Sequence, residues 1–434
     1  MINKILLVST PAPAIEQTEE ETNYWKLHYS LKTILTYPNL SEKELLRLGN
    51  SENQNVGLLS IASYLRDNGI DVGYIAPSLE IIGDERDERF LDLLLKNIRE
   101  TEPCFVGFSA HTCAIPMTIK YANEVKKINP NIRTVIGGAH ANGSSQGTLE
   151  ELTNNFDFVI RGKGELPLLK LLEGDIDFQG ISYSRNVTPS SVTSPIYYTS
   201  PANDLLNVTL LPASRVFTSL GCRKGSQCVF CADIIHNKGF VTRPIEEILS
   251  EIQFFYKNFG TRYFYFGDEN FFFDKFRALE IMDVINSLDL DRLLSYQVRL
   301  ESADEDLIKK AAKSGKCTEI QYGVESASQK VLNMNKKGLR IQKVKDICDL
   351  TKSYGMATHC YFLVGLPGET QETARMTIEK MEELLKSRSV DFIEYRCAVP
   401  FHGSPMWELS KDYGINIKHK DWRLFRGRTN HHLI

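Results

Sequence analysis

Val216-Phe217-Thr218-Ser219-Leu220-Gly221-Cys222-Arg223-Lys224-Gly225-Ser226-Gln227-Cys228-Val229-Phe230-Cys231 joins a strand-like run to three cysteines within ten residues. The spacing is C-x5-C-x2-C, and three thiolates on one loop can converge on a single centre. Such ligand sets favour iron–sulfur clusters, zinc or copper(I). The count of three matters, because a four-iron cluster held by three cysteines leaves one iron open to a substrate or cofactor. His236 lies five residues beyond Cys231, so a structural Cys3His zinc site is the competing reading.

Downstream, strand and helix patterns alternate about six times over residues 214–410. Candidate strands are Val216–Leu220, Tyr263–Gly267, Ser295–Val298, Glu319–Val324, Thr358–Val364 and Phe392–Val399. Helices such as Ile245–Phe259, Asp304–Ser314 and Gln342–Tyr354 fill the gaps. Six βα units are too few for a closed eight-stranded barrel and suit an open, partial one, with chemistry at the carboxyl ends of the strands. The cysteine loop follows the first of these strands. A zinc site there would occupy the functional edge of the barrel.

Upstream, residues 1–175 also alternate. Strands are expected at Lys4–Ser9, Asp71–Ala76, Phe105–Ala110, Thr134–Gly138 and Phe156–Ile160, with helices at Leu58–Asn68, Phe90–Glu100 and Met117–Ile128. Near-continuous apolar strands are buried on both faces, so a parallel, doubly wound sheet follows. Ligands bind such sheets beyond the carboxyl ends of the strands. Those ends carry Ser109 and His111, then Gly137, Gly138 and His140, then Gly162 and Glu165. Ordinary turn chemistry is the alternative account of these glycines. Residues 11–55 form an unusually long connection, acidic and then aromatic (Tyr24, Trp25, Tyr29), which reads as a lid or a surface decoration. Residues 176–213, dense in Ser, Thr and Pro, read as a connecting region, and residues 411–434 as a short tail.

The chain has 434 residues, 42% hydrophobic and 24% charged, with a formal net charge of −4. That balance offers no basic nucleic-acid surface. No run reaches the ~18–20 apolar residues of a membrane span. Met1 to Thr10 lacks the pattern of a secretory signal, so a cytoplasmic protein without membrane or nucleic-acid partners is expected. Of the nine cysteines, Cys104, Cys113, Cys317, Cys348, Cys360 and Cys397 stand singly. They read as small buried hydrophobes and not as a disulfide framework.

Taken together, these segments resemble radical S-adenosylmethionine (SAM) enzymes of the cobalamin-binding branch. Cys228-Val229-Phe230-Cys231 matches the family loop, whose usual spacing is C-x3-C-x2-C; the first interval here is two residues longer. Tyr265-Phe266-Gly267-Asp268-Glu269-Asn270-Phe271 resembles the second-strand motif, Gln297-Val298-Arg299 the third-strand end, and Gly323-Val324-Glu325-Ser326 the fourth. Phe362-Leu363-Val364-Gly365-Leu366-Pro367-Gly368-Glu369-Thr370 resembles the fifth-strand signature. Pro400-Phe401-His402-Gly403-Ser404-Pro405 resembles the sixth-strand loop, with His402 where proline is common. Upstream, Val56-Gly57-Leu58-Leu59, Gly137-Gly138-Ala139-His140 and Gly162-Lys163-Gly164-Glu165 resemble the cobalamin-binding domain, with Lys163 where glutamate is usual.

The resemblance implies an α/β chain: a Rossmann-like cobalamin-binding domain over 1–175, then a partial (βα)6 TIM-type barrel over 214–410. It implies a [4Fe–4S] cluster on Cys222, Cys228 and Cys231, with SAM on the open iron. It places Phe230, Gly267, Asp268, Glu269, Arg299, Glu325 and Leu363 near SAM. It places Ser109, His111, Gly137, Gly138, His140, Gly162 and Glu165 near cobalamin. No D-x-H-x-x-G sequence is present, so neither His111 nor His140 is expected to ligate cobalt. The implied chemistry is reductive cleavage of SAM to a 5′-deoxyadenosyl radical, fed by a flavodoxin- or ferredoxin-type donor. The radical would act on a small metabolite or natural-product intermediate, with cobalamin-dependent C-methylation as the leading reaction. A SAM-only dehydratase, epimerase or cyclase is the second reading. A cobalamin-binding sensor with structural zinc is the third.

Overall fold

The computed structural model describes residues 4–11, 54–76, 86–143, 146–184, 198–208, 211–222, 228–232, 240–288, 293–418 and 421–425. Most of the expected lid, His236 and the intervals 223–227 and 233–239 of the cysteine region lie outside these residues.

The first sheet has the order β2-β1-β3-β4-β5-β6. Its strands are β1 (Lys4–Ser9), β2 (Asp71–Ile75), β3 (Phe105–Ser109), β4 (Arg133–Gly137), β5 (Phe158–Ile160) and β6 (Ile181–Ser182). The first five pair in parallel. The period of two splits their apolar residues between two cores. Ile5, Leu7 and Val135 face helices Val56–Asp67 and Glu165–Glu173, whereas Leu6, Val8 and Ile136 face helices Arg86–Thr101, Ile115–Ile128 and Gln146–Asn155. The sheet is therefore doubly wound, as expected. One correction concerns its edge. Ile181–Ser182, read as part of the connection, adds antiparallel to β5. A two-residue strand carries no periodicity, so sequence alone does not reveal it.

The second sheet runs β7-β10-β11-β12-β13-β14, all parallel and in chain order: β7 (Ala213–Val216), β10 (Tyr263–Phe266), β11 (Leu293–Arg299), β12 (Cys317–Glu325), β13 (Ala357–Val364) and β14 (Phe392–Cys397). β7 and β14 do not pair, so the barrel is open. Outward residues such as Phe264, Phe266, Tyr296, Ile320 and Phe362 form one apolar core with Ile248, Ile252 and Phe255 of helix Ile245–Phe259. Alternate residues turn inward and are polar. The Tyr361 hydroxyl donates to Gln321 Oε1 at 2.7 Å, and Tyr265 donates to Gln297.

The first barrel strand lies earlier than expected. It ends at Val216, and Ser219–Leu220 instead forms a short antiparallel ribbon with Val241–Thr242 (β8 and β9). The cause is the buried Asp268 carboxylate. It accepts from the Thr218 amide at 3.0 Å, the Thr218 hydroxyl at 2.7 Å and the Ser219 hydroxyl at 2.6 Å. These bonds draw the chain away from β10 after Val216. The ribbon then clasps the base of the cysteine excursion.

The barrel gap faces the first sheet. On one side of it, Ser214 of β7 donates to Gln54 Oε1 at 3.2 Å. On the other, beyond β14, His402 Nε2 meets Thr148 Oγ1 at 2.9 Å and its ring stacks on His140 at 5.1 Å. Val399, Trp422 and Phe425 join the apolar core that holds Phe108 and Ile136. The Trp422 indole donates to Glu151 at 3.2 Å. The expected tail is thus partly a domain clasp. Among the described residues no helix is long and apolar enough to cross a membrane.

Gly143 lies flat against the backbone of the His402 loop, and a Cβ there would overlap the His402 carbonyl. Gly143→Ala is expected to cost about 1–3 kcal/mol through overpacking and to lower the thermal unfolding midpoint. An unchanged midpoint would contradict this contact.

Candidate functional site

The cysteine loop is anchored by its own backbone. The Val229 amide donates to the Asn335 carbonyl at 3.2 Å, and the Val229 carbonyl accepts from the Met406 amide at 2.9 Å. The Cys231 amide donates to the Cys228 carbonyl at 3.0 Å, a tight turn that brings the last two cysteines onto one side. Val229 packs with Val331, Leu366, Ala398, Met406 and Ile415, and the flanking Phe230 and Leu363 lean on this small core. The Asn335 side chain also donates to the Pro367 carbonyl at 2.9 Å. The motif is therefore tied to the fourth-, fifth- and sixth-strand loops at once.

Arg299, at the end of β11, reaches into this loop. Its Nη1 stands 3.4 Å from Cys228 Sγ and 3.6 Å from Cys222 Sγ. Glu301 and the Lys337 carbonyl hold the rest of the guanidinium. Asn270 Oδ1 fixes the Arg299 amide at 3.0 Å. Burial pushes the Cys222 thiol up, partly offset by the Arg299 charge. Beside this group, Lys337 Nζ pairs with Glu325 Oε1 at 2.8 Å, both side chains buried. Glu325 stands at φ 73°, a left-handed conformation uncommon for a residue with a Cβ, where the register of β12 on β13 shifts. Gly323 leaves the space: a Cβ there would sit 2.7 Å from Glu325 Oε1 and 3.0 Å from Lys337 Nζ.

The structure divides the expected SAM residues. Arg299 and Glu325 lie around the cysteines, and Phe230 and Leu363 form the apolar flank. Gly267 follows β10 with no room for a side chain, because Arg215 and Phe217 lie over it. Glu269 follows, half-buried. Asp268 turns away, and its carboxylate is taken up by Thr218 and Ser219. Burial pushes its pKa up, and these hydrogen bonds pull it part of the way back. Both of its oxygens accept from this segment, so it positions the loop.

The expected cobalamin residues also divide. The strand order places the topological switch between β1 and β3, which is where open sheets of this order bind ligands. Ser109 ends β3 there, and His111 follows. The surrounding protein lowers the His111 pKa. Gly137 ends β4 and Gly138 follows it; Gly138 has φ 92°, and a Cβ would meet Ser109 Oγ at 2.8 Å. Gly162 donates to Asn142 Oδ1 at 2.7 Å. Glu165 is buried in the first turn of its helix, and burial raises its pKa. His140 departs from expectation. It is fully buried, with His402 stacked on it and the edge of Trp422 at 4.8 Å. An aromatic clasp between the domains occupies its ring, so it does not line the open edge.

Three thiolates on one loop are a soft donor set of the kind that iron–sulfur clusters and zinc take, and three of them leave one iron of a four-iron cluster open. Among the described residues no three His, Cys, Asp or Glu side chains are grouped to hold one metal ion. Sequence reasoning missed Lys337, Asn335 and Glu301, because a lone Lys, Asn or Glu in a polar stretch reads as solvated surface. Of the single cysteines, Cys104 is exposed and Cys397 half-buried; Cys113, Cys317, Cys348 and Cys360 are buried as expected.

Residues 49–172 match the family model described as B12 binding domain, and residues 216–381 match that of the radical SAM superfamily. An uncharacterized methyltransferase of Pyrococcus horikoshii is 28% identical over 398 residues, covering 88% of this chain and 83% of its own. The anaerobic magnesium-protoporphyrin IX monomethyl ester cyclase of Rubrivivax gelatinosus is 24% identical, covering 82% of this chain and 68% of its own. The radical SAM methyltransferase TsrM of Kitasatospora setae, solved with cobalamin and a [4Fe–4S] cluster bound, superposes with a TM-score of 0.67 at 15% identity. It covers 95% of this chain and 75% of its own, so the fold is shared.

The clasp should respond to pH. Burial lowers His140 to about 3, helped by His402, and lowers His402 to about 4, helped by Arg161. Unfolded imidazoles titrate near ~6.5, so between that pH and about 4 the unfolded chain binds more protons. Stability is then full above pH ~6.5 and falls with pH, by up to about 1.4 kcal/mol per unit for each imidazole. Urea unfolding at pH 7.5 and 5.5 measures the slope, which His402→Phe should reduce. An equal slope in the variant would remove His402 from this account.

Proposed function

We propose that this chain, a member of the radical SAM superfamily with an N-terminal B12 binding domain, is a radical SAM enzyme that methylates a carbon of a small metabolite or natural-product intermediate. Its cofactors are a [4Fe–4S] cluster, SAM and cobalamin. The observation that carries the reading is how the two domains meet. On the two sides of the barrel gap, Ser214 of β7 and His402 of the loop after β14 contact the carboxyl-edge region of the first sheet at Gln54 and Thr148. The edge where a corrin would lie therefore faces the barrel that carries the three cysteines.

When bound, the cluster and SAM would supply a 5′-deoxyadenosyl radical and cobalamin a transferable methyl group. Cys222, Cys228 and Cys231 hold the cluster, and Phe230 and Leu363 flank SAM with apolar surface. Glu325, oriented by Lys337, stands beside the cysteine loop. Ser109, His111, Gly138 and Gly162 line the cobalamin edge. Inside the barrel, Tyr265, Gln297, Gln321 and Tyr361 present hydroxyl and amide groups. Burial pushes both phenols up, so they remain neutral donors at neutral pH. A polar lumen suits a polar substrate. The electron donor is of flavodoxin or ferredoxin type, and the site of action is the cytoplasm. The similarity to a cyclase supports a second reading, in which the same site uses SAM for ring closure.

Anaerobic protein reconstituted with iron, sulfide and hydroxocobalamin tests both readings. About four irons per chain, retained cobalamin and 5′-deoxyadenosine formation from SAM and dithionite are expected. Cys228→Ala should lose cluster and cleavage together. Cleavage without retained cobalamin would favour the SAM-only reading. Zinc with no cleavage would end both.

A further inference from the structure

We infer that Arg299 sets the reduction potential of the cluster by donating N–H···S hydrogen bonds to two of its cysteine ligands. The inference rests on the cluster assignment above. A guanidinium has five N–H donors, and the structure engages all three nitrogens of this one. Nη1 serves the sulfurs of Cys222 and Cys228 at 3.6 and 3.4 Å. Nε and Nη2 serve Glu301, and Nη2 also serves the Lys337 carbonyl. No donor is left for SAM, near which the family resemblance had placed this residue. The tethers also decide whether the side chain stays in place. Glu301, Lys337 and the Asn270 bond to its amide hold Arg299 from three directions, so a cluster on the cysteines meets an arginine already aimed at their sulfurs.

The electrostatic sign follows from the charges. A [4Fe–4S]2+ core with three thiolates carries one net negative charge, and one electron from the external reductant makes it two. No bond breaks and no proton moves in that step. A fixed cation and N–H donors at the ligand sulfurs stabilise the more negative state and raise the potential. Glu301 lies on the far side of the guanidinium from the sulfurs and offsets this only in part.

The test uses the full chain, reconstituted as wild type, Arg299→Gln and Arg299→Lys. Iron content, the electron paramagnetic resonance signal of the reduced cluster and its midpoint potential are measured without SAM. Arg299→Gln should keep its iron and become about tenfold harder to reduce, a negative shift of ~59 mV for one electron. Arg299→Lys, which keeps the charge but not the fork, should fall between. Wild-type potentials in both variants, or equal shifts in the two, would overturn the inference. So would loss of the cluster from both, which would make Arg299 a structural tether. A normal potential with weakened SAM binding would return Arg299 to the SAM site. A wild-type protein that assembles no cluster would instead refute the proposed function itself.

Discussion

The placement of the cysteine loop depends on one buried carboxylate. Asp268 lies at the end of β10 with no exposure to solvent, and it collects the Thr218 amide and the Thr218 and Ser219 hydroxyls. An unpaired carboxylate in that position would cost several kcal/mol, so the chain is held wherever those donors are. The held segment is the one that leaves β7. The Thr218 carbonyl is itself bound by the Arg243 amide at 3.0 Å and by Arg277 at 3.3 Å. Arg243 in turn pairs with buried Glu251. A chain of polar contacts thus runs from the barrel helices to the base of the cysteine excursion.

The rest of the site is built to converge on that loop. Val229 is bonded from Asn335 and from Met406, which belong to the fourth- and sixth-strand loops. Asn335 reaches on to Pro367 in the fifth. Arg299 comes from the third, and Glu325 is turned inward by a left-handed backbone that Gly323 makes room for. Backbone strain of this kind persists only where surrounding contacts over-determine it, and the Lys337 pair is one such contact. The site is therefore a junction of five loops, each carrying a small part of the geometry.

An open barrel leaves two strands without a neighbour. Here the gap they border is met by the carboxyl-edge region of the first sheet. The linker packs against helix Val56–Asp67, where the Ala202 amide donates to the Leu59 carbonyl at 3.0 Å. The clasp of His140, His402, Trp407 and Trp422 closes the other side. The departure from family pattern at His402 has a physical reason in this contact. Proline has no imidazole nitrogen to meet Thr148 and no aromatic ring to stack on His140.

By itself the sequence determined the doubly wound first half, the open six-stranded barrel of the second and the three cysteines. Each rests on a signal that survives without partners: apolar strands alternating with amphipathic helices, and ligand spacing within one loop. Helix Ile245–Phe259 and strand Lys4–Ser9 match their expected bounds because burial pattern and end signals coincide there. Only the tertiary structure decided where the first barrel strand ends, since a carboxylate fifty residues away bends it. Only it separated Asp268 and His140, which are enclosed, from Arg299, which stands at the sulfurs of Cys222 and Cys228. Charge pairing and burial are set by what folds alongside a residue, and one chain read in order carries no record of which neighbour that will be.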